Sequence, residues 1–249
     1  MKCQPYSRHD LERLLSSLAE TSGALTIYVE PSLFPDFVLN LKLEPCWEGL
    51  VNEVKVVITD DTVLRAAQRY GTGAAIFWSE GAGRYLILPP FTLTESRAFT
   101  GVPDVSTLQA MLAKRFVLGV VLVAWGSYAL GVFDGGRLVE WKTGTGYIHK
   151  KHRKGGRSEK RFARRTEEQK KDFLRRVANR IDERFSSASL DHIFFGGNRL
   201  ILKPLVRECH YLQTNANKLS SRLLETRYAD RETLLRSYRE ITTSLVFSF

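Results

Sequence analysis

Residues 149–165 combine two adjacent glycines with a dense run of cations, a combination suited to phosphate-rich partners. The cations are Lys150, Lys151, Arg153, Lys154, Arg157, Lys160, Arg161, Arg164 and Arg165, and Glu159 is the single acid. These nine cations and one acid give +8, whereas the whole chain carries a formal net charge of +10. Lysines and arginines at this density attract polyanions by releasing counterions, without reading a base sequence. The segment therefore predicts a contact with a nucleic-acid backbone.

The same residues predict the conformation of the segment. Like charges repel one another, so the segment is not built to be buried. Gly155 and Gly156 allow backbone conformations that are closed to other residues. In the simplest interpretation this is a solvated basic loop with general affinity for nucleic acid. Gly144 and Gly146, just before it, are interpreted as releasing the chain into the loop.

The order of residues in the loop resembles the signature of the central domain of eukaryotic and archaeal class-1 peptide chain release factors. In that family a lysine and a histidine lead into Gly-Gly-Gln-Ser, and Arg-Phe-Ala-Arg follows on the helix that begins there. In this chain residues 151–156 read Lys-His-Arg-Lys-Gly-Gly, Ser158 follows, and residues 161–164 read Arg-Phe-Ala-Arg. The spacing matches without a gap, and the resemblance covers about half of the chain. The layout is most similar to release-factor-like proteins that rescue stalled ribosomes.

The chain departs from the family at the catalytic glutamine, which is Arg157 here. Glu159 falls at the position where related rescue-type proteins carry their glutamine, and it is not glutamine either. The resemblance implies that Gly155 and Gly156 provide a turn and that the next backbone amide stabilises the charge formed during peptidyl-tRNA hydrolysis. It also implies that the glutamine side chain places water. A guanidinium only donates hydrogen bonds and cannot accept one from water. Two functions stay open: nascent-chain release with Gly155, Gly156 and Arg157 as the catalytic residues, and binding to rRNA or tRNA without catalysis.

The resemblance implies the large ribosomal subunit, its rRNA phosphates and peptidyl-tRNA as partners. The RNA-binding residues are predicted to be Lys150, Lys151, His152, Arg153, Lys154, Ser158, Lys160, Arg161, Arg164 and Arg165. We expect no DNA or membrane partner and no cofactor. Stop-codon decoding is not expected, because the chain lacks the Asn-Ile-Lys-Ser run that the family uses for it.

A metal-dependent nuclease is a second class of hypothesis, since ribonuclease-H-like sheets often cut nucleic acids. Its chemistry needs clustered carboxylates that begin on the first strand, and residues 117–125 contain no acid. Asp134, Glu140 and Asp191 are interpreted as turn and surface residues. No metal site is expected, because no thiol or carboxylate stands at ligand spacing from the loop histidines.

Composition bounds the class of protein. The chain has 249 residues, of which 43% are hydrophobic and 26% charged, a globular composition with room for two domains. No apolar run approaches membrane length, and the N-terminus lacks the apolar core of a signal peptide. Cys3, Cys46 and Cys209 are odd in number and far apart, which does not suggest a disulfide framework. We expect a reduced, cytoplasmic protein.

We predict an α/β protein of two domains, residues 1–114 and 115–249. In the first domain the patterns predict these elements: a helix at 8–21, a strand at 24–29, a hairpin from 74–78 and 85–88, a third strand at 91–99, and a helix at 105–114. Residues 50–70 fit a helical face bent near Asp60-Asp61. The β-branched cluster at 54–58 leaves a strand as an alternative to a helix there.

The second domain is predicted to be a mixed sheet with helices that carries the loop. Its elements are a buried strand at 117–125, a meander through 129–133 and 138–143, a strand at 190–195, a short helix at 199–206 interrupted by Pro204, and a final amphipathic helix. A long helix is predicted at 159–185, with an alternative start at Thr166. Its buried face is Phe162, Phe173, Leu174, Val177, Ala178, Ile181 and Phe185. This order resembles the ribonuclease-H-like central domain of release factors.

Overall fold

The structure is a computed structural model that describes residues 1–81, 83–148 and 157–249, with the backbone alone for residues 157–160. The chain divides into two compact units, each built around one sheet. The first unit contains Met1–Lys114 and Arg239–Phe249, and the second contains Arg115–Tyr238. The protein is a mixed α/β protein, as the sequence predicts. None of the described helices is long and apolar enough to cross a membrane.

The strands follow one another as β1 (Lys2–Tyr6), β2 (Ala24–Val29), β3 (Ala74–Ser79), β4 (Gly83–Leu88), β5 (Arg97–Gly101), β6 (Val117–Ala124), β7 (Ser127–Asp134), β8 (Arg137–Thr145), β9 (His192–Gly197), β10 (Leu219–Leu224) and β11 (Ser244–Ser248). The helices are α1 (Arg8–Ala19), α2 (Asp36–Leu39), α3 (Glu48–Ile58), α4 (Asp61–Tyr70), α5 (Ser106–Ala113), α6 (Arg157–Phe185), α7 (Arg199–Glu208), α8 (His210–Thr214) and α9 (Arg231–Ile241).

The sheet of the first unit is antiparallel, in the order β1-β11-β4-β3-β2-β5. Strands β2 and β3 are buried along their whole length, because one hydrophobic cluster covers each face of the sheet. Side chains alternate between these clusters: Leu25 and Ile27 belong to one, and Tyr28 belongs to the other. The predicted helix at 8–21, the strand at 24–29 and the hairpin are confirmed.

Residues 50–70 form the helices α3 and α4, so the strand alternative at 54–58 is wrong. Val51, Val54 and Ile58 are buried at helical spacing, which gives these β-branched residues one shared packing face. The break falls where Asp60 accepts a hydrogen bond from the Thr62 backbone amide at 2.7 Å and begins α4. The third strand of this domain runs over Arg97–Gly101, later than the predicted 91–99.

The C-terminal residues correct the predicted division of the chain. The sequence assigns residues 115–249 to one domain, whereas Arg239–Phe249 belongs to the first unit. Strand β11 lies between β1 and β4, with Leu245 opposite Leu88. Phe247 is fully buried there, so the strand completes a core formed mostly by residues before position 89. A local pattern shows that a strand is buried but not which sheet it joins.

The sheet of the second unit has the order β10-β9-β6-β7-β8. Strands β6, β7 and β8 form the predicted antiparallel meander, and β9 runs parallel to β6 and to β10. The central strand β6 is buried over most of its length, as its apolar run predicts. The finer ribonuclease-H-like assignment stays a prediction.

Helix α6 runs over Arg157–Phe185, so it includes the basic residues that an alternative start at Thr166 would leave out. That alternative is therefore wrong. The predicted buried face is confirmed for Phe173, Leu174, Val177, Ala178, Ile181 and Phe185. It is wrong for Phe162, which is 48% exposed because it lies three helical turns before Phe173, the first buried residue of the helix.

Helix α7 continues through Pro204 to Glu208, so the proline does not interrupt it as predicted. The proline removes one backbone hydrogen bond, which would have gone to the carbonyl of Leu200 four residues earlier. Leu200 lies in the first turn and is exposed, so water can solvate that carbonyl. Burial of Ile201 and Leu205 on the other face holds the helix to the core.

Candidate nucleic-acid interface

Most of the predicted site lies outside the described residues. This is so for Lys150, Lys151, His152, Arg153, Lys154, Gly155 and Gly156. Of Arg157, Ser158 and Lys160 the backbone is described, and it is helical. The structure therefore shows the elements that hold the two ends of the basic loop, β8 on one side and α6 on the other.

The residues that hold the chain before the loop and anchor the helix after it surround the last described turn before the loop. We call Trp125, Gly126, Tyr128, Gly144, Gly146 and Phe173 the loop stem. The Gly146 amide donates a hydrogen bond to the Gly126 carbonyl at 2.9 Å. Gly126 adopts a left-handed conformation with φ 91°, and a Cβ there would come within 3.0 Å of the Gly146 carbonyl oxygen. The β6–β7 turn thus holds the chain as it leaves β8.

The two glycines at the end of β8 allow aromatic rings to lie directly against the backbone. A Cβ on Gly144 would lie 2.5 Å from the Tyr128 ring, and a Cβ on Gly146 would lie 2.8 Å from Phe173 Cδ2. Neither glycine has a positive φ. Close packing therefore requires glycine at both positions. The interpretation that they release the chain into the loop concerns residues outside the described part of the chain and stays a prediction.

Aromatic packing joins α6 to this end of the sheet. The Phe173 ring centroid lies 6.3 Å from that of Trp125 and 6.3 Å from that of Tyr128. The Lys170 ammonium lies over the Trp125 ring, 5.2 Å from its centroid, an arrangement favoured by the ring quadrupole. Phe173 is buried, so the helix is fixed to the sheet at this residue.

From Arg161 to Asp172 most side chains of the helix are exposed. Arg157 and Phe173 are sixteen residues apart, which corresponds to about 24 Å of α-helix. Residues 161–165 are all exposed. Arg164 forms an ion pair with Glu168 at 3.0 Å, whereas Arg161 and Arg165 have no ion pair with any side chain the structure describes. The helix thus presents predicted phosphate contacts along an exposed basic segment.

The carboxylates considered for a nuclease have structural partners. Asp134 accepts hydrogen bonds from Arg115 at 2.6 and 2.7 Å, which lowers the pKa of its carboxyl group. Glu140 pairs with Arg184 at 2.8 Å. Asp191 accepts from the Val117 amide at 2.8 Å, at the start of β6. Within residues 1–81, 83–148 and 157–249, no group of three or more His, Cys, Asp or Glu side chains could hold a metal ion.

The thiol of Cys209 is not available as a nucleophile. Burial raises its pKa to about 12, and the side chain is fully buried. It lies at the start of α8, where Asp182 accepts a hydrogen bond from the Tyr211 amide at 2.8 Å. This arrangement ties α8 to α6 and is structural.

Comparison with known proteins relates the C-terminal half of the chain to one family. A family model described as "Actinobacteria/chloroflexi VLRF1 release factor" matches residues 117–246, which is more than half of the chain. No curated protein sequence matches the chain.

Solved structures show weaker, whole-chain similarities. An archaeal translation termination factor, aRF1, has 19% identity and a TM-score of 0.38, over 91% of this chain and 67% of that one. The Vms1 mitochondrial localization core has 14% identity and a TM-score of 0.39, over 94% of this chain and 92% of that one. Pelota from Archaeoglobus fulgidus has 7% identity and a TM-score of 0.31, over 96% of this chain and 61% of that one.

Proposed function

This chain belongs to the VLRF1 release-factor family of actinobacteria and chloroflexi, and from that premise we propose that it acts on the ribosome. In this proposal the basic loop at Gly155-Gly156 reaches the peptidyl-tRNA of a stalled complex and the nascent chain is released. The partners are the large subunit, its rRNA phosphates and the tRNA, and the protein acts in the cytoplasm.

The observation that carries the proposal is that α6 begins at Arg157, directly after the two glycines. The first backbone amides of a helix have no acceptor within the helix and lie at the positive end of its dipole. Such a terminus favours negative charge. The Arg157 amide is thus suited to the oxyanion that forms when water attacks the ester.

The reaction needs little else from the protein. Water adds to the ester carbonyl carbon, the bond to the ribose oxygen breaks, and the proton lost by water ends on that oxygen. Gly155 and Gly156 let the backbone approach the ester closely. The loop cations, with Arg161, Arg164 and Arg165 of α6, offset the repulsion among rRNA phosphates around the site.

The loop stem supports the delivery of this tip. The hydrogen bond from Gly146 to Gly126 holds the chain just before the loop, and the packing of Phe173 against Trp125 and Tyr128 anchors the helix that follows the loop. A rigid scaffold that carries a reactive loop is the usual arrangement of functional sites. The predicted RNA-binding residues Lys150, Lys151, His152, Arg153, Lys154, Ser158 and Lys160 belong to this proposal.

A second candidate follows from the side chain at position 157. The Arg157 guanidinium binds phosphate well but cannot accept a hydrogen bond from water. A protein with this residue can bind the ribosome or tRNA without hydrolysis. In that case Gly155-Gly156 and the cations serve delivery alone.

One experiment separates the two candidates. Release of a labelled nascent chain is measured from large-subunit peptidyl-tRNA complexes and from stalled ribosomes, with cosedimentation of the same samples. Wild type is compared with Gly156→Ala and Arg157→Gln. Release by wild type that Gly156→Ala abolishes supports hydrolysis by the backbone.

The other outcomes are equally informative. Cosedimentation without release, restored to release by Arg157→Gln, supports the binding candidate. Neither release nor cosedimentation by wild type would contradict action on the ribosome. Release that varies with the codon in the decoding site would contradict a function in rescue.

A further inference from the structure

Helix α7 presents three cations on a single exposed face. Arg199, Lys203 and Arg207 are spaced four residues apart, so they lie within a narrow arc of the helix. Leu200 falls at the edge of the same arc and is 79% exposed. Ile201 and Leu205, on the opposite face, are fully buried. Burial therefore fixes which face of α7 meets the solvent, and that face is cationic.

The three cations of α7 lack the acidic partners that arginines on several other helices of this protein have. On α1, α4 and α9, arginines pair with acids one turn away: Arg13 with Asp10 at 2.6 Å, Arg65 with Asp61 at 3.0 Å, and Arg236 with Glu232 at 2.7 Å. The three cations of α7 form no ion pair with any described side chain. Like charges four residues apart on a helix repel one another. An anionic partner would remove that repulsion.

Strand register places the start of α7 at the end of the sheet that holds the loop stem. Gly197, the last residue of β9, lies opposite Val123, and Ser127 lies opposite both Ala124 and Thr145. Gly197 and Thr145 are thus three strand spacings apart, about 14 Å. Thr145 directly precedes Gly146 of the loop stem. Arg199 follows Gly197 by two residues, so the cationic face begins at the same end of the sheet as the loop stem.

Helix α6 runs along the same face of the sheet in the same direction. A Cβ on Gly146 would meet Phe173, at the loop end, whereas a Cβ on Gly119 would meet Phe185, close to the other end. The buried residues of α6 and α7 belong to one hydrophobic cluster. The part of α6 that packs on the sheet and the whole of α7 therefore both start at the end of the sheet that holds the loop stem, and both are basic there.

We propose that the Arg199-Lys203-Arg207 face of α7 is a second RNA contact, which binds successive phosphates of an RNA backbone beside the segment that the loop enters. Successive cations are separated by about 6 Å along the helix, a step comparable with that between neighbouring phosphates of one strand. Leu200 provides an apolar contact for the ribose. The inference rests on the proposed function in one respect only, namely that the RNA is ribosomal.

The test uses two variants with equal loss of charge in the full-length protein. The first is Arg199→Gln with Lys203→Gln and Arg207→Gln. The matched control is Arg13→Gln with Arg65→Gln and Arg236→Gln, which removes three arginines that already have acidic partners. Affinity for a short RNA hairpin is measured over a series of salt concentrations.

The α7 variant is expected to lose roughly tenfold or more in affinity, and the slope of log K against log salt is expected to fall by about 2 to 3. The control is expected to keep the wild-type slope. Arg199→Lys with Arg207→Lys keeps the charge and should retain most of the affinity. Lys203→Gln alone should show about a third of the slope change, which provides a second test if the triple variant folds poorly.

An unchanged slope in the α7 variant, or an equal change in the control, would overturn the proposal. The outcome is separable from that of the proposed function. If wild type neither binds ribosomes nor releases peptide while α7 still governs the salt slope, the RNA contact stands and the ribosomal function fails. If release depends on Gly156 while α7 variants bind the hairpin as wild type does, the ribosomal function stands and the RNA contact by α7 fails.

Discussion

The two units of this protein have similar architecture and opposite charge. The first unit has 11 Lys and Arg against 14 Asp and Glu, a net charge of −3, and the second has 26 against 13, a net charge of +13. Each unit is a sheet packed with helices, yet the entire positive excess of the chain belongs to one of them. Residues 149–165 contribute +8 of it, so the second unit stays basic without the loop.

The arrangement of the cations differs as well. In the first unit both arginines of α1 and Arg65 of α4 pair with acids on the same helix, as Arg8 does with Glu12 at 2.8 Å. In the second unit, Arg161 and Arg165 on α6 and the basic face of α7 have no such partner among the described side chains. Paired surface charges add little to stability or binding, whereas unpaired ones attract polyanions. This difference supports the proposal that the second unit makes the contact with a nucleic-acid backbone.

The largest expected effect tests a feature that the two units share, a glycine packed directly against the backbone of a strand. Gly73 and Gly197 both have positive φ, and a Cβ on either would lie 2.2 Å from a strand carbonyl oxygen, of Val29 and Val123 respectively. Substitution by alanine should cost about 3 kcal/mol or more in each case, from backbone strain and from the clash. Urea denaturation measures it. Gly23→Ala is the control, because φ is positive there but nothing lies within 4 Å, and a similar cost at Gly23 would contradict the role of close approach.

The next prediction tests the charge difference itself. Arg153→Gln with Arg161→Gln and Arg164→Gln should lower RNA affinity at least tenfold and reduce its salt slope by about 2 to 3. Because Arg164 already pairs with Glu168, Arg165→Gln in its place should give the larger loss of affinity. The matched variant in the first unit is Arg8→Gln with Arg13→Gln and Arg65→Gln, which should leave the RNA affinity and its salt slope unchanged. Fluorescence anisotropy with a labelled RNA measures them. Equal weakening by both sets would remove the distinction between the units.

A smaller effect separates packing from function at the loop stem. Phe173→Leu should cost about 1 to 2 kcal/mol in the free energy of unfolding, because it removes ring contacts in a buried site. Phe77→Leu is the matched change in the first unit, where Phe77 packs edge-on against Tyr28. Both should lower stability, but only Phe173→Leu should reduce peptide release at temperatures where the protein stays folded. Phe162→Leu, on the exposed segment, should change stability by less than about 0.5 kcal/mol.

The smallest effect concerns acid stability. Hydrogen bonds from Arg115 lower the pKa of Asp134 in the second unit, and hydrogen bonding with Ser7, then with Arg13, lowers the pKa of Asp10 in the first. A carboxyl group with a lowered folded-state pKa stabilises the fold above its unfolded value, about 3.9, and loses that contribution as pH falls through the folded value.

Asp134→Asn and Asp10→Asn should therefore each lower Tm slightly at neutral pH. The difference from wild type should shrink as pH falls below about 3.9 and disappear once both carboxyl groups are protonated in the folded state, which thermal melts over a pH series would show. A difference that persists in acid would mean that the carboxylate charge is not the cause.

Much of the fold follows from local patterns. Strand β6 is predicted by its apolar run, and the buried face of α6 from Phe173 to Phe185 by its period. The same reasoning fails for Phe162, because periodicity continues along a helix whether or not a sheet lies beneath it. It also missed β1, where Lys2, Gln4 and Pro5 are exposed and offer no alternation of apolar residues.

The sequence by itself determined the basic loop, its adjacent glycines and the order of residues that resembles release factors, because charge and composition are local properties. Tertiary structure decided that β11 joins the first sheet, that Gly144 and Gly146 lie against Tyr128 and Phe173, and that α7 begins beside the loop stem. Each of these depends on pairing or packing between residues distant in the chain. Local periodicity records that a side chain is buried, but the partner that buries it is fixed only when the sheets form.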